Sequence, residues 1–345
     1  MLRVQFTLNR PIAHVNHGDR RQHAMTDLKI LAADIGGTNA RFAKVRISGL
    51  SGITMSEPVV FPTWSEDIDS FDKLLDHYAA SLPEGSETIE SFDALAIAIA
   101  GAVSGQRGTL PNIAWDIDLS VSKPVRKAFL LNDFFAQAHG YLEPDVFERL
   151  HLVRPGPGAG PGSIAIVGAG TGLGHAALKP HGGKRVVIGS EAGHTSFSFH
   201  GRHEREIESK ILARKGKTWL TADDIVSGSG AALIHESLTG NSLRPAQALA
   251  RDVKDSPTCK YYSRFYARAC RNYCLSMFPV EALVISGGIA AKNPHLVESN
   301  AFIDEFNDAR SYRHLLERTP IYLNQDELLG IKGAAIHAWL QLSGS

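Results

Sequence analysis

Two carboxylates stand where short apolar runs break off. Asp34 follows Ile30 to Ala33 and precedes Gly36-Gly37-Thr38-Asn39; Asp133 follows Phe129 to Leu131 and Asn132. A carboxylate at such a place can hold a hydrated Mg²⁺, a hard cation that prefers oxygen ligands. It can also accept the proton of an attacking hydroxyl, a contribution of typically ~10²–10⁴-fold. Asp34 suits the first task. Gly36 and Gly37 allow a tight turn beside it, and the N–H groups of such a turn suit phosphate oxygens. Asp133 suits the second task, with Asn132 placed to orient the same hydroxyl. Asn132-Asp133 also reads as the cap of a helix beginning at Phe134, and both readings hold together. An ordinary glycine hairpin would match the Asp34 stretch equally well.

A second glycine turn strengthens the phosphate reading. It runs Gly168-Ala-Gly170-Thr171-Gly172-Leu-Gly174 between apolar runs. The dinucleotide fingerprint G-x-G-x-x-G is excluded, because its third glycine would fall on Leu173 or His175 and the chain returns as a strand instead of opening a helix. No Walker A sequence occurs. What remains is a hairpin whose backbone can line a polyphosphate, or a glycine-rich surface turn. Glu191 and His194, three apart across Gly193, supply acceptors and a donor suited to vicinal hydroxyls; no cysteine or second histidine nearby completes a zinc set. Ser286-Gly287-Gly288 after an apolar strand lets backbone approach a flat base or ribose closely.

The elements that must position these groups are legible as patterns. Leu28 to Ile47 reads as a hairpin, with a third strand within Ser51 to Phe61. Ser70 caps a helix with Phe71, Leu74, Leu75 and Tyr78 on its apolar face. Asp93 to Ala100 is a buried strand, and Gly101 to Asn112 reads as loop. A short helix is expected over 123–127. Phe129 to Leu131 is a strand that delivers Asn132-Asp133 to its carboxyl end, where open α/β sheets place ligands. Arg154 to Gly162 is a breaker cluster. Ser163 to Val167, His175 to Leu178, Arg185 to Ile188, Val280 to Ile285 and Ile321 to Leu323 read as strands. Helical patterns fall at 203–214, 222–238, 258–278, near Pro294 and at 328–340. The repeat of strand, glycine turn, strand predicts a duplicated α/β core closing on one ligand.

Bulk properties narrow the class. The 345 residues suffice for two domains. Lys plus Arg equals Asp plus Glu at 36 each, so the chain carries no overall basic field for nucleic acid or membrane. No apolar run approaches the ~18 residues of a membrane span. Three cysteines, an odd and sparse set, fit a reducing compartment. Cys270 and Cys274 read as helix packing residues, with a metal site the alternative. Residues 1–26 read as a disordered extension with Met25 a plausible start; an organelle address there stays open.

Taken together, DIGGTNARFA, LLNDF, GAGTGLG, GSEAGH and ISGGI resemble, in order and spacing, the bacterial glucokinase family of the hexokinase–actin–Hsp70 ATPase superfamily. The resemblance implies a two-domain actin-like α/β fold with a central cleft: residues 27–143 plus 329–345 as the small domain, 144–328 as the large one. It implies ATP-dependent phosphorylation of D-glucose to glucose 6-phosphate, with ATP and Mg²⁺ required and Asp133 as the base. Asn112, Asn132, Asp133, Glu191 and His194 resemble sugar ligands. Asp34, Gly36, Gly37, Thr38, Asn39, Gly168, Gly170, Thr171, Gly172, Gly287 and Gly288 resemble the nucleotide site, with Asp34 on Mg²⁺ through water. A homodimer is implied as well, while a cytoplasmic location is expected from the cysteines, the missing apolar secretory core and the ATP requirement. Asp223 is carried over as a further sugar ligand with one departure: the family has Glu at that place, shortly before a Ser-Gly pair, and Asp is one methylene shorter, so it reaches the sugar through water or not at all. Rival readings are a kinase for another hexose or amino sugar, a non-catalytic sugar sensor, and an ATPase acting on protein partners.

Overall fold

The computed structural model describes residues 27–344 apart from 86, 122–126 and 159. The proposed extension and the short helix expected over 123–127 therefore lie outside the described residues, the last residue of that helix excepted.

The first half builds one sheet. Its strands are β1 (Leu28–Ile35), β2 (Asn39–Gly49), β3 (Gly52–Met55), β4 (Val59–Pro62) and, after helix α1 (Phe71–Ser81), β5 (Ala94–Ile99). A small antiparallel meander follows, β6 (Ala102–Ser104), β7 (Arg107–Thr109) and β8 (Ile117–Asp118). β9 (Ala128–Asn132) then runs directly into α2 (Asp133–Gly140). The sheet order is β3-β2-β1-β5-β9, with β4 also on β2.

The second half repeats this plan. Strands β10 (His151–Arg154), β11 (Ser163–Ala169), β12 (Leu173–His181) and β13 (Lys184–Ser190) precede a helical stretch. That stretch holds α3 (Gly201–Lys215), α4 (Ala222–Ile225), α5 (Gly228–Thr239), α6 (Pro245–Ala248) and α7 (Pro257–Ser276). β14 (Val280–Ser286) leads to α8 (Gly288–Lys292), α9 (His295–Glu298), α10 (Asn300–Asn307) and α11 (Arg313–Leu316). β15 (Ile321–Leu323) and α12 (Leu329–Ser343) close the chain. The order is β13-β12-β11-β14-β15-β10. In both sheets an antiparallel hairpin, β1–β2 or β11–β12, continues through parallel strands. The duplicated core expected from the two glycine turns is thus present.

Alternation along each strand supplies two faces. Leu31, Ala33, Ile35 and Phe42 pack under Phe71, Leu74, Leu75 and Tyr78 of α1, the four residues expected on its apolar face. Ile30, Ala32 and Ala43 meet Ile331, Ala335 and Trp339 of α12. In the second sheet Val167, Leu283 and Ile285 face Tyr262, Phe265 and Tyr266 of α7. Its other face, Ile166, Ala176, Leu178 and Val284, receives Phe134 and Ala138 of α2. Helix α2 leaves the first sheet and packs on the second, while α12 leaves the second and packs on the first. The pair ties the halves together.

Three expectations change in detail. Gly101 to Asn112 is not plain loop: it carries β6 and β7, strands too short to show alternation. The third strand divides into β3 and β4. The pattern over 222–238 breaks into α4 and α5, because the Ser227 hydroxyl caps a new helix by accepting the Gly230 N–H at 3.2 Å.

Candidate active site

Parallel register brings the chemistry to one edge. β1, β5 and β9 run the same way, with Ile35 beside Ile99 and Ile99 beside Asn132. Asp34 and Asp133 therefore emerge together at the carboxyl ends of their strands. Burial pushes the Asp133 carboxyl up to about 7, and the negative charges of Asp34 and Glu191 add to it; N–H donation from Phe134 offsets only part. Burial likewise raises Asp34 to about 6, against the pull of Arg41, whose Nη1 lies 3.8 Å from Asp34 Oδ2.

Asn132 is committed to structure. Its Oδ1 accepts the Phe134 and Phe135 N–H groups at 3.0 and 3.2 Å, and its Nδ2 donates to the Gly101 carbonyl at 3.2 Å. Of the four bonds an asparagine amide can make, one donor remains for a ligand. Asp133 opens α2, and its Oδ1 accepts the Phe134 N–H at 2.9 Å.

The first glycine turn is closed by the Gly36 N–H on the Asn39 carbonyl at 2.9 Å, with Thr38 and Asn39 exposed at its tip. Thr63, which sequence reasoning missed, clamps it from outside: its N–H donates to Thr38 O at 3.1 Å and its hydroxyl to Gly36 O at 3.3 Å. Asn112 abuts the same turn, and a Cβ on Gly37 would stand 2.7 Å from its Cβ.

The second turn joins β11 to β12. A Cβ on Gly168 would lie 2.6 Å from the Phe134 ring, and one on Gly174 would overlap that ring, so this glycine pair admits the residue next to Asp133. Gly170 has open space around it, and Thr171 is exposed at the tip. Asp223 stands at this turn, its Oδ1 accepting the Leu173 N–H at 2.7 Å. Glu191 and His194 follow β13, both exposed, with His194 Nε2 3.7 Å from Glu191 Oε2. His175 lies buried beneath them, its ring 4.7 Å from that of Tyr273, and burial holds it neutral by lowering its pKa to about 4.

The third loop joins the halves. Ser286 donates to Gln137 Oε1 of α2 at 2.6 Å and accepts from Asn324 Nδ2 at 3.3 Å. Gly287 takes a φ of 86°, a conformation that favours glycine, and lets the chain pass close to Ala169. Arg41 also reaches Glu327 at 3.1 Å, and Glu327 lies 3.9 Å from Lys292.

Two half-buried carboxylates between two glycine hairpins fit a magnesium nucleotide, because Mg²⁺ is held by one or two carboxylates and the substrate's own phosphates. Among the described residues no group of three or more His, Cys, Asp or Glu forms a dedicated metal cage.

The glucokinase family profile matches residues 31–341. The chain belongs to the glucokinase family. Curated relatives include glucokinases of Nostoc punctiforme, 26% identical over 90% of this chain and 98% of that protein, and Chromobacterium violaceum, 28% identical over 89% and 88%. Solved structures of the same two-domain actin-like fold include a glucokinase from an Antarctic psychrotroph (TM-score 0.72, 23% identity, 90% of this chain and 98% of that one). Another is the Balamuthia mandrillaris glucokinase in complex with glucose (TM-score 0.74, 21% identity, 90% and 93%). A third is a ROK family glucokinase from Streptomyces griseus with glucose and AMPPNP (TM-score 0.54, 17% identity, 89% and 98%).

Proposed function

We propose that this chain transfers the terminal phosphoryl group of ATP to the 6-hydroxyl of D-glucose, with Asp133 as general base. The observation that carries the assignment is the Asp133 carboxyl, raised to about 7 at the same edge of the sheet where Asp34 emerges two strands away. A base with a pKa near the working pH combines availability with proton affinity. The sugar O6–H proton passes to Asp133, O6 bonds to the γ-phosphorus, and the bond from that phosphorus to the bridging oxygen breaks to release ADP. Glu191, His194, Asn112 and the free donor of Asn132 bind sugar hydroxyls. N–H groups at the tips of the turns at 36–39 and 168–172, those of Thr171 and Gly172 among them, receive phosphate oxygens. Gly287 and Gly288 admit the adenosine. Asp34 would hold Mg²⁺ through water, and the ion would neutralise phosphate charge.

The halves act as domains bounded at 27–143 plus 329–345 and at 144–328, hinged where α2 and α12 cross, and they close to exclude water. We further propose a cytoplasmic homodimer serving glycolysis. The three thiols are free and buried, as suits a reducing compartment.

The test is ADP release from Mg-ATP with glucose, mannose, fructose, glucosamine or no sugar. Release with glucose above all others supports the proposal. Preference for another sugar keeps the kinase and changes its substrate. Glucose binding without ADP release points to a sensor.

A further inference from the structure

Asp223 occupies the place of a sugar-binding Glu in the family pattern, yet its Oδ1 is engaged elsewhere. It stands on α4, a single turn held by a reciprocal cap: Thr221 Oγ1 accepts the Asp224 N–H and Asp224 Oδ2 accepts the Thr221 N–H, each at 3.0 Å. Lys215 and Lys217 fasten Asp224 at 2.8 Å. From this fixed turn Asp223 Oδ1 accepts the Leu173 N–H at 2.7 Å. The same oxygen lies 2.5 Å from where a Cβ on Gly172 would be, so only glycine at 172 leaves the slot open. Farther along the same segment, the Gly228 N–H donates to the Gly170 carbonyl at 2.9 Å. Two bonds from residues 223–228 thus grip the second glycine turn, one on each side of Thr171.

We propose that Asp223 is a positioning residue of the phosphate-binding hairpin and not a sugar ligand. One methylene shorter than Glu, it stops at the Leu173 N–H. A bond from a backbone N–H to a charged acceptor is about twice as strong as a neutral one. It sets the orientation of the peptide units at the tip, where the Thr171 and Gly172 N–H groups make no hydrogen bond among the described residues. The cost falls on sugar recognition. One sugar hydroxyl that a Glu would bind is left to water, so discrimination at that hydroxyl weakens. The inference rests on the reading of this hairpin as the ATP phosphate site.

The test compares Asp223→Ala, Asp223→Asn and Asp223→Glu in the full chain, measuring ADP and glucose affinity by calorimetry and both KM values. Asp223→Ala weakens ADP and raises the ATP KM by about tenfold, the loss of one charge-assisted bond, while glucose affinity stays within about twofold. Asp223→Asn retains an acceptor for Leu173 and keeps ADP affinity within about threefold. Asp223→Glu does not fit the slot beside Gly172, so ADP binding falls while the spectrum of accepted sugars narrows. Weakened glucose binding with unchanged ADP affinity in Asp223→Ala overturns the proposal. If that variant fails to fold, unchanged ADP affinity in Asp223→Glu overturns it instead. ADP binding needs no turnover: weakened ADP affinity in Asp223→Ala, in a chain that phosphorylates no sugar, removes the kinase assignment and leaves this inference standing.

Discussion

The Phe134 ring fills the space that any side chain at Gly174 would occupy. Phe134 follows Asp133 directly, so the second hairpin and the proposed base are set by one contact. Gly174→Ala should lower turnover by more than about tenfold and the melting temperature by several degrees, the penalty of an overpacked core being about 1–3 kcal/mol. Adding Phe134→Leu should restore part of both. A Gly174→Ala variant with unchanged Tm and turnover would show that the ring moves aside freely.

Charge on Asp133 is a stability cost in the unliganded chain. Its carboxyl ordinarily titrates near 3.8 and is raised to about 7 here. Between those values the folded chain keeps a proton that the unfolded chain has released, so this group's contribution to stability falls as pH rises through the window. Asp133→Asn should therefore raise Tm by roughly 2–5 °C at pH 8 and leave it unchanged near pH 4. In the parent enzyme kcat/KM for glucose should climb with pH toward a plateau above about 7. An equal Tm gain at both pH values would divorce the effect from ionisation.

Arg268 is fully buried between two acidic side chains, with Nη1 on Glu204 Oε2 at 2.6 Å and Nε on Glu305 Oε1 at 2.8 Å. Its Nη1 also donates to the Ser198 carbonyl at 2.8 Å, just beyond the Glu191–His194 segment. Arg268→Met strands buried carboxylates and should cost ~3–5 kcal/mol, read by chemical denaturation. Stability within about 1 kcal/mol of the parent would mean that Arg264 and Arg271 carry the network alone.

The hairpins, the carboxylates at strand ends and the apolar face of α1 were legible because each is a local pattern. The purposes of the glycines were not. Read as places for a ligand, Gly168 and Gly174 make room for Phe134, and Gly172 makes room for Asp223; these partners lie about 30 to 50 residues away, and only the fold brings them together. Thr63 escaped notice for the same reason. The meander at 102–118 was missed because strands of two or three residues show no period. Asn132 reads as both cap and sugar ligand in the sequence, and its hydrogen bonds leave a single donor for the second role.

The most direct test of the central claim is glucose-dependent ADP release by the parent and Asp133→Asn enzymes, with glucose affinity measured on both. The account predicts release that requires sugar in the parent, and a loss of at least ~10²-fold in the variant while glucose still binds. Turnover within tenfold of the parent, or ADP release indifferent to sugar, would contradict it.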